Sequence, residues 1–496
     1  MIGFGVPWIA LGPDRLWSDS GFLCIYEPLM HMFQQHGVRS LIYLPPSFRT
    51  EFEKNNDVEF SGVQPVYAEE EPSPSWRYLH AVDQVNADRY LLDQLCPVDF
   101  ILSNKIHVIP HLAAQAVDHR LVTNIPLVYI CLNAGKDAVI NPLSKAGKTV
   151  GAKSAFHLYA EAASYLMADH VVWTTKDQYN RGMRIARRFL SPTEVQNLRL
   201  KHSIIGCGIA DVLKGHERTD DEIRNVLQSR KGDDFAVTFL GRMSANKNVR
   251  FILDVIQPLF VLHGIKLKIR ATKGLPKATK RLFSDADIET VVENMGGSIA
   301  SREDYAGKLL PSIDCLMYAS ICEGYCIVPR EAVYIGVPVL LPNRAWARTA
   351  MGPDYPFYYN DEVEAIALIK RVRDGRITDE EADRFLAARA RPESCNFVSE
   401  GADKLYEVVR GLVDDRMAVQ WRRSRSKIVA AFEEETTVDE EFDFEDLLGR
   451  LNKHICVKIG RNIGQQRACS AEDIFHFLRD RLVSLSPRDG RFKRTL

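Results

Sequence analysis

Over the first ~200 residues, short apolar runs alternate with amphipathic stretches. The runs Ile2–Val6, Ser40–Tyr43, Phe100–Leu102, Leu127–Cys131 and Val171–Thr174 predict strands. Helical periodicity falls between them, for example over Phe22–Gln35, ended by Gly37, and over His157–Met167. Such alternation predicts a parallel sheet with crossover helices. Glu69 to Ser75, with Pro72 and Pro74, reads as a surface loop.

A second set begins near Ser203. Its strand candidates are Ser203–Ile205, Ala236–Leu240, Lys266–Ala271, Cys315–Tyr318 and Val339–Leu341, interleaved with helices such as Val249–Leu262. The expected fold class is therefore α/β. Two consecutive open α/β domains imply a cleft lined by the carboxyl ends of both sheets. Beyond about residue 415 the character changes. Arg422 to Lys427 is basic and Glu433 to Asp446 acidic. A strand-like His454–Ile459 follows, then a helix capped by Ser470 with Asp473 three later, and a basic close at Arg488, Arg491, Lys493 and Arg494. The expected division is 1–200, 201–395, a returning helix over 396–415, and a mixed-charge appendage over 416–496.

At 496 residues the chain is too long for one core, which agrees with two large domains. A 46% hydrophobic and 26% charged composition is ordinary for a soluble protein, and a net charge of -1 gives no global argument for a polyanionic partner. The ten cysteines are scattered, and the pair Cys322 and Cys326 has no second pair at metal spacing. They read as reduced thiols of a cytoplasmic protein. Met1 to Trp8 has no basic segment ahead of its apolar part, so no signal peptide is expected, and no run approaches a membrane span.

The candidate chemistry is concentrated in Cys322-Glu323-Gly324-Tyr325-Cys326-Ile327-Val328-Pro329-Arg330-Glu331-Ala332, running into Gly336-Val337-Pro338-Val339. Glu323 falls in a turn. Glu331 follows eight positions later, at the start of an apolar-periodic run, so a loop-to-helix segment can aim both acids at one cleft. The helix N-terminus between them favours an anion. Hydroxyl-binding acids beside such a helix end suit a nucleotide-sugar. Upstream, Phe239-Leu240-Gly241-Arg242-Met243-Ser244-Ala245-Asn246-Lys247-Asn248 follows an expected strand. Gly241 permits a tight exit, while Arg242 and Lys247 can neutralise a diphosphate, including the charge that builds as it leaves.

In this order the two motifs resemble those of family-4-type glycosyltransferases, retaining enzymes of the two-Rossmann GT-B fold. The resemblance covers roughly residues 200–395. Gly241-Arg242 with Lys247 resembles that family's diphosphate loop, and Glu323 with Glu331 its pair of glutamates. Asp314 to Ser320 is similar to the strand entering that motif, Gly336 to Val339 to the strand leaving it, and Ile205 to Ile209 to the turn between domains.

The resemblance implies that Arg242 and Lys247 hold the donor diphosphate, Glu331 the ribose hydroxyls, and that Glu323 faces the donor sugar. Backbone amides around Gly324 and Tyr325 would meet sugar or phosphate oxygens. The N-terminal half departs from the pattern. Ala168 to Thr175 resembles the segment before the crossover, but Ser20-Gly21 offers one glycine where the family often has two. Leu132-Asn133 stands where a sugar-contacting histidine is usual, and Cys326 replaces a usual glycine. The nearby His107, His111, His157 and His170 read as structural or surface residues.

A donor domain of this kind implies transfer of a sugar from a nucleoside-diphosphate sugar to a glycan, lipid or small-molecule hydroxyl, without obligatory metal or cofactor. Three alternatives stay open at this point. One is a phage-type enzyme acting on a hydroxymethylated DNA base, suggested by the basic clusters of the appendage. Another is a non-catalytic nucleotide-sugar-binding protein. The third is a sugar-nucleotide epimerase, against which the glutamate pair counts. The appendage also suits self-association.

Overall fold

The computed structural model describes residues 40–44, 63–67, 101–103, 126–131, 134–135, 152–206, 208–241, 245–270, 292–294, 302–391, 397–412, 432–434, 436–437, 441–443, 482–486 and 491–494. The expected elements Ile2–Val6, Phe22–Gln35, His454–Ile459 and the helix after Ser470 lie outside these residues. So do loop 69–75 and the basic run 422–427.

Strands β1 (Ser40–Leu44) and β2 (Val63–Tyr67) pair in parallel. A second sheet holds β3 (Ile101–Ser103), β4 (Leu127–Cys131), β5 (His170–Trp173) and β6 (His202–Ile204) in that spatial order, every pair parallel. Its crossovers include α1 (Ala152–Met167), α2 (Lys176–Phe189) and α3 (Pro192–Leu200). All five residues of β4 are buried, as expected of a parallel strand covered on both faces.

Helix α2 sets the geometry of the cleft wall. Thr175 caps it by accepting from the Gln178 N–H, and its buried face mixes Met183, Ile185 and Ala186 with the polar Asp177 and Gln178. Gly182 lets it lie close on β5, since a Cβ there would sit 2.2 Å from the Trp173 ring.

The third sheet is six-stranded. It comprises β7 (Ala236–Leu240), β8 (Lys266–Arg270), β9 (Val292–Asn294), β10 (Cys315–Met317), β11 (Val339–Pro342) and β12 (Tyr358–Tyr359), in the order β12-β11-β10-β7-β8-β9. All its pairs are parallel. Around it pack α4 (Asp220–Gln228), α5 (Val249–His263), α6 (Ile327–Ile335), α7 (Ala345–Met351), α8 (Glu362–Arg373) and α9 (Asp379–Ala390). The chain leaves β7 toward β8 on one side and later returns to place β10 on the other. The strand order therefore reverses between β7 and β10, which is where open α/β sheets form ligand crevices.

Two differences from the sequence reading have plain causes. Helix α6 begins at Ile327, so Glu331 stands a full turn inside it rather than at its start. Cys326 makes that early start possible by taking the left-handed conformation (φ 64°) at the N-cap, and Pro329 is tolerated in the first turn. The short strands β2, β9 and β12 lacked a distinct apolar run and were not anticipated.

Beyond a helix over 398–412, β13 (Glu441–Asp443), β14 (Leu482–Ser486) and β15 (Arg491–Arg494) form an antiparallel sheet in the order β13-β15-β14. Glu441 stands opposite Lys493 and Asp443 opposite Arg491. The acidic and basic ends of the appendage thus meet in one sheet. Among the described residues, no helix is long and apolar enough to cross a membrane.

Candidate active site

The segments following β7 and β10 emerge side by side at the strand-order reversal, and they carry both motifs. After β7, Gly241 adopts φ 130°, a conformation that disfavours any side chain, and its N–H is held by the Arg270 carbonyl (3.1 Å). Arg242 lies outside the described residues. Lys247 closes a short 3-10 turn, Ala245–Lys247, and Asn248 (φ 49°) then redirects the chain into α5.

Asn246, which the sequence reading did not single out, joins the two motif loops. Its carbonyl accepts from the Ile321 N–H (2.9 Å), and its side-chain Oδ1 from the Cys322 N–H (3.3 Å). Buried, with both acceptors used, it fixes the loop after β10 to the loop after β7. Its only signal in sequence was its place beside Lys247.

That suture brings Lys247 and Glu323 together. The ammonium is 2.5 Å from Glu323 Oε1, both side chains are 14% exposed, and Lys247 also lies 4.7 Å from the Tyr318 ring centroid. A mostly buried pair of this kind is poised for exchange. An incoming anion can take the ammonium, and the carboxylate then becomes free to accept from hydroxyls. Tyr318 donates to the Leu240 carbonyl (2.8 Å); burial, followed by the charge of Glu323, raises its phenol well above the usual range, so it stays protonated.

Glu331 is buried at 5% exposure on α6, where Tyr305 donates its hydroxyl to Oε2 (2.6 Å). Tyr305 opens a π-helical turn, Tyr305–Leu309, and no sequence signal pointed to it. Gly324 lies in the loop with its carbonyl engaged across the cleft. Tyr325 is buried, with its hydroxyl accepting from the Gly208 N–H (2.8 Å) and the Arg330 guanidinium 4.3 Å from its ring centroid. It therefore anchors the loop to the turn before the third sheet.

Cys326 supplies the positive φ that a glycine would supply more cheaply, which explains why glycine suits this position. Its thiol, like that of Cys322, is pushed up in pKa, chiefly by burial, so neither is a ready thiolate nucleophile. The described cysteines 131, 315, 322 and 326 are buried thiols outside any disulfide.

On the N-terminal side, Gly21, Leu132, Asn133, His107 and His111 lie outside the described residues, as does the side chain of His157. His170 on β5 bonds Ser203 (2.9 Å), and its pKa falls to about 4 through burial, then the nearby His202 and Lys201. It is a neutral structural histidine. The turn after β4 is instead organised by Glu161, whose carboxylate accepts from the Gly135 N–H (3.1 and 3.2 Å) and from the Tyr165 hydroxyl (2.5 Å). Among the described residues no group of three or more His, Cys, Asp or Glu could hold a metal ion.

This arrangement, two parallel α/β sheets flanking a cleft with loops converging at a strand-order reversal, is the GT-B fold of glycosyltransferases. The chain is similar in structure to HepE from Anabaena, solved in complex with UDP-glucose, at 15% identity and TM-score 0.56, covering 83% of this chain and 100% of that one. It is similar to sucrose-phosphate synthase from Thermosynechococcus elongatus at 13% identity and TM-score 0.60, covering 84% and 100%. The catalytic domain of starch synthase IV from Arabidopsis thaliana, bound to ADP and acarbose, aligns at 12% identity and TM-score 0.54, covering 83% and 99%. No protein-family model matches the chain, and no curated protein does. At these identities the likeness is one of fold.

Proposed function

We propose that the chain is a glycosyltransferase of the retaining, family-4 type, moving a sugar from a nucleoside-diphosphate sugar to an acceptor hydroxyl. The observation that carries this reading is the buried Lys247–Glu323 pair at the strand-order reversal, one helical segment from Glu331. The GT-B neighbours solved with UDP, UDP-glucose or ADP support a nucleotide-sugar as the donor.

The chemical task is heterolysis of an anomeric carbon–oxygen bond to phosphate. Lys247, with Arg242 on the same loop, takes the diphosphate and stabilises the charge that builds as it leaves. Loss of the ammonium frees Glu323 for the sugar hydroxyls, and Glu331, fixed by Tyr305, accepts from the ribose. Gly241 lets the backbone pass close to the phosphates, while Gly324, Tyr325 and Cys326 present the amides ahead of α6. The resemblance also assigns Gly21 to donor binding. The acceptor attacks on the face the diphosphate leaves, and the departing phosphate oxygen takes its proton. No protein nucleophile, metal or cofactor enters this scheme. The same reading assigns residues 1–200 to the acceptor side, 201–395 to the donor side, 396–415 to a returning helix and 416–496 to an appendage.

The test is consumption of a panel of nucleotide-sugars, with product analysis, by wild type, Lys247→Ala and Glu323→Ala. Donor cleavage or transfer that is lost in both variants supports the reading. Binding without turnover indicates a nucleotide-sugar-binding protein, and a changed sugar without acceptor indicates an epimerase. Equal activity of all three proteins removes the site assignment. The paired acidic and basic positions of β13 and β15 offer no uniformly basic strand pair, so a DNA acceptor gains no support there.

A further inference from the structure

The donor motifs leave two polar side chains of α2 unexplained. Gln178 is fully buried, yet its whole amide is engaged. Its Oε1 accepts from the Ala134 N–H (2.5 Å), in the turn after β4. Its Nε2 donates across the cleft to the carbonyl oxygens of Glu323 (2.9 Å) and Gly324 (3.1 Å). A primary amide has two N–H donors and a carbonyl acceptor, and both ends are used here. Arg181, three residues on, donates Nη2 to the same Glu323 carbonyl (2.7 Å) and Nη1 to the sulfur of Cys322 (2.7 Å). Its Nε lies 2.9 Å from the Asp177 carboxylate, an ion pair within α2 that orients the guanidinium.

These contacts converge on the loop carrying Glu323, and on its backbone rather than its carboxylate. The Glu323 carbonyl receives two donors, which fixes the peptide from which the side chain departs. The other end of Gln178 holds the turn whose next residue, Gly135, is held by Glu161. One side chain thus sets the spacing between the N-terminal turn and the donor loop. Gly182 and Trp173 fix the depth of α2, and α2 also packs against α7 of the third sheet.

We propose that Gln178 and Arg181 are positioning residues for sugar transfer, holding the backbone of loop 322–324 from the opposite wall and so fixing where the Glu323 carboxylate meets the donor. The proposal rests on the glycosyl-transfer reading of the site. Held this way, the loop does not depend on the Lys247–Glu323 pair for its place, so that pair can separate when a diphosphate arrives while the backbone stays fixed.

Gln178→Glu provides the discriminating variant. Its shape and one acceptor are kept, but at neutral pH a carboxylate faces two carbonyl oxygens. Protonation restores one donor. The kcat for donor cleavage is expected to fall about tenfold or more at pH 8, from the loss of two buried hydrogen bonds. It should recover as pH is lowered toward 5, with the donor KM changed less than about threefold. Gln178→Ala should be slow at every pH, and wild type should show no such recovery. Arg181→Lys, which keeps the charge but loses the fork, should lie between.

Hydrogen exchange of the free protein gives a second readout that needs no activity. Amides of 321–325 should exchange faster in Gln178→Ala, while those of β11 should match wild type. Unchanged exchange, or a Gln178→Glu pH profile parallel to wild type, overturns the proposal. If wild type cleaves no nucleotide-sugar, the functional reading fails, and exchange still decides whether α2 holds the loop.

Discussion

The two walls of the cleft are built from different chemistry. The wall on the third sheet presents charged side chains, Lys247 and Glu323 on loops where they pair with each other, and Glu331 on α6 where Tyr305 donates to it. The wall on the second sheet presents Gln178, Arg181 and Glu161, and it addresses mainly backbone groups. Charged side chains can exchange partners when a charged ligand arrives. Backbone-directed contacts hold a shape that no ligand needs to replace. One wall is suited to chemistry and the other to placement, and the difference predicts how substitutions on each should behave.

The largest effect belongs to the charged wall. Lys247→Ala should slow donor cleavage by roughly 100- to 1,000-fold, the usual loss when one preorganised charge-stabilising donor is removed. Steady-state assays of nucleotide-sugar consumption measure it, and a loss under about tenfold would place the diphosphate elsewhere. Glu331→Gln should weaken a nucleoside diphosphate about tenfold or more while leaving inorganic pyrophosphate nearly unchanged, because only the ribose contact is altered. Calorimetric titration of both ligands separates the two, and equal weakening of both would reassign Glu331.

The placement wall should respond in stability before chemistry. In Gly182→Ala the new methyl would meet the Trp173 ring, so α2 must lift. A loss of about 1–3 kcal/mol is expected, read as a lowered Tm, with faster amide exchange in 321–325. An unchanged Tm would show that α2 does not depend on this close approach. The smallest effect is expected for Cys326→Gly. Relief of the left-handed strain, about 1–2 kcal/mol, offsets the lost burial of the thiol, so the Tm should move little and nucleotide affinity should be kept. A large loss of affinity would show that the sulfur itself shapes the sugar side.

The same contrast explains what the sequence disclosed. The third sheet was readable because fully buried parallel strands such as β7 and β11 are continuous apolar runs, and its charged loops occur at motif spacing. The spacing of Glu323 and Glu331 was visible, but the start of α6 was not. It depends on a cysteine taking a left-handed conformation, which sequence pattern does not advertise. Asn246, Tyr305, Gln178 and Arg181 were missed for a related reason. Each acts by contacting residues distant in the chain, and Gln178 to Glu323 spans 145 positions. In isolation a glutamine and an arginine on an amphipathic helix read as solvent-facing, and only the packing of α2 on Trp173 turns them toward the cleft. The missing histidine was legible from Leu132-Asn133 in the sequence, while the Glu161 cluster that holds Gly135 was not.

The most direct measurement is the Lys247–Glu323 separation in a crystal structure of the complex with UDP. The account predicts that the ammonium leaves Glu323, now 2.5 Å away, for the diphosphate oxygens, while the Gln178 contacts to the Glu323 and Gly324 carbonyls persist. UDP bound with the Lys247–Glu323 pair intact, or bound away from the loops after β7 and β10, would contradict it.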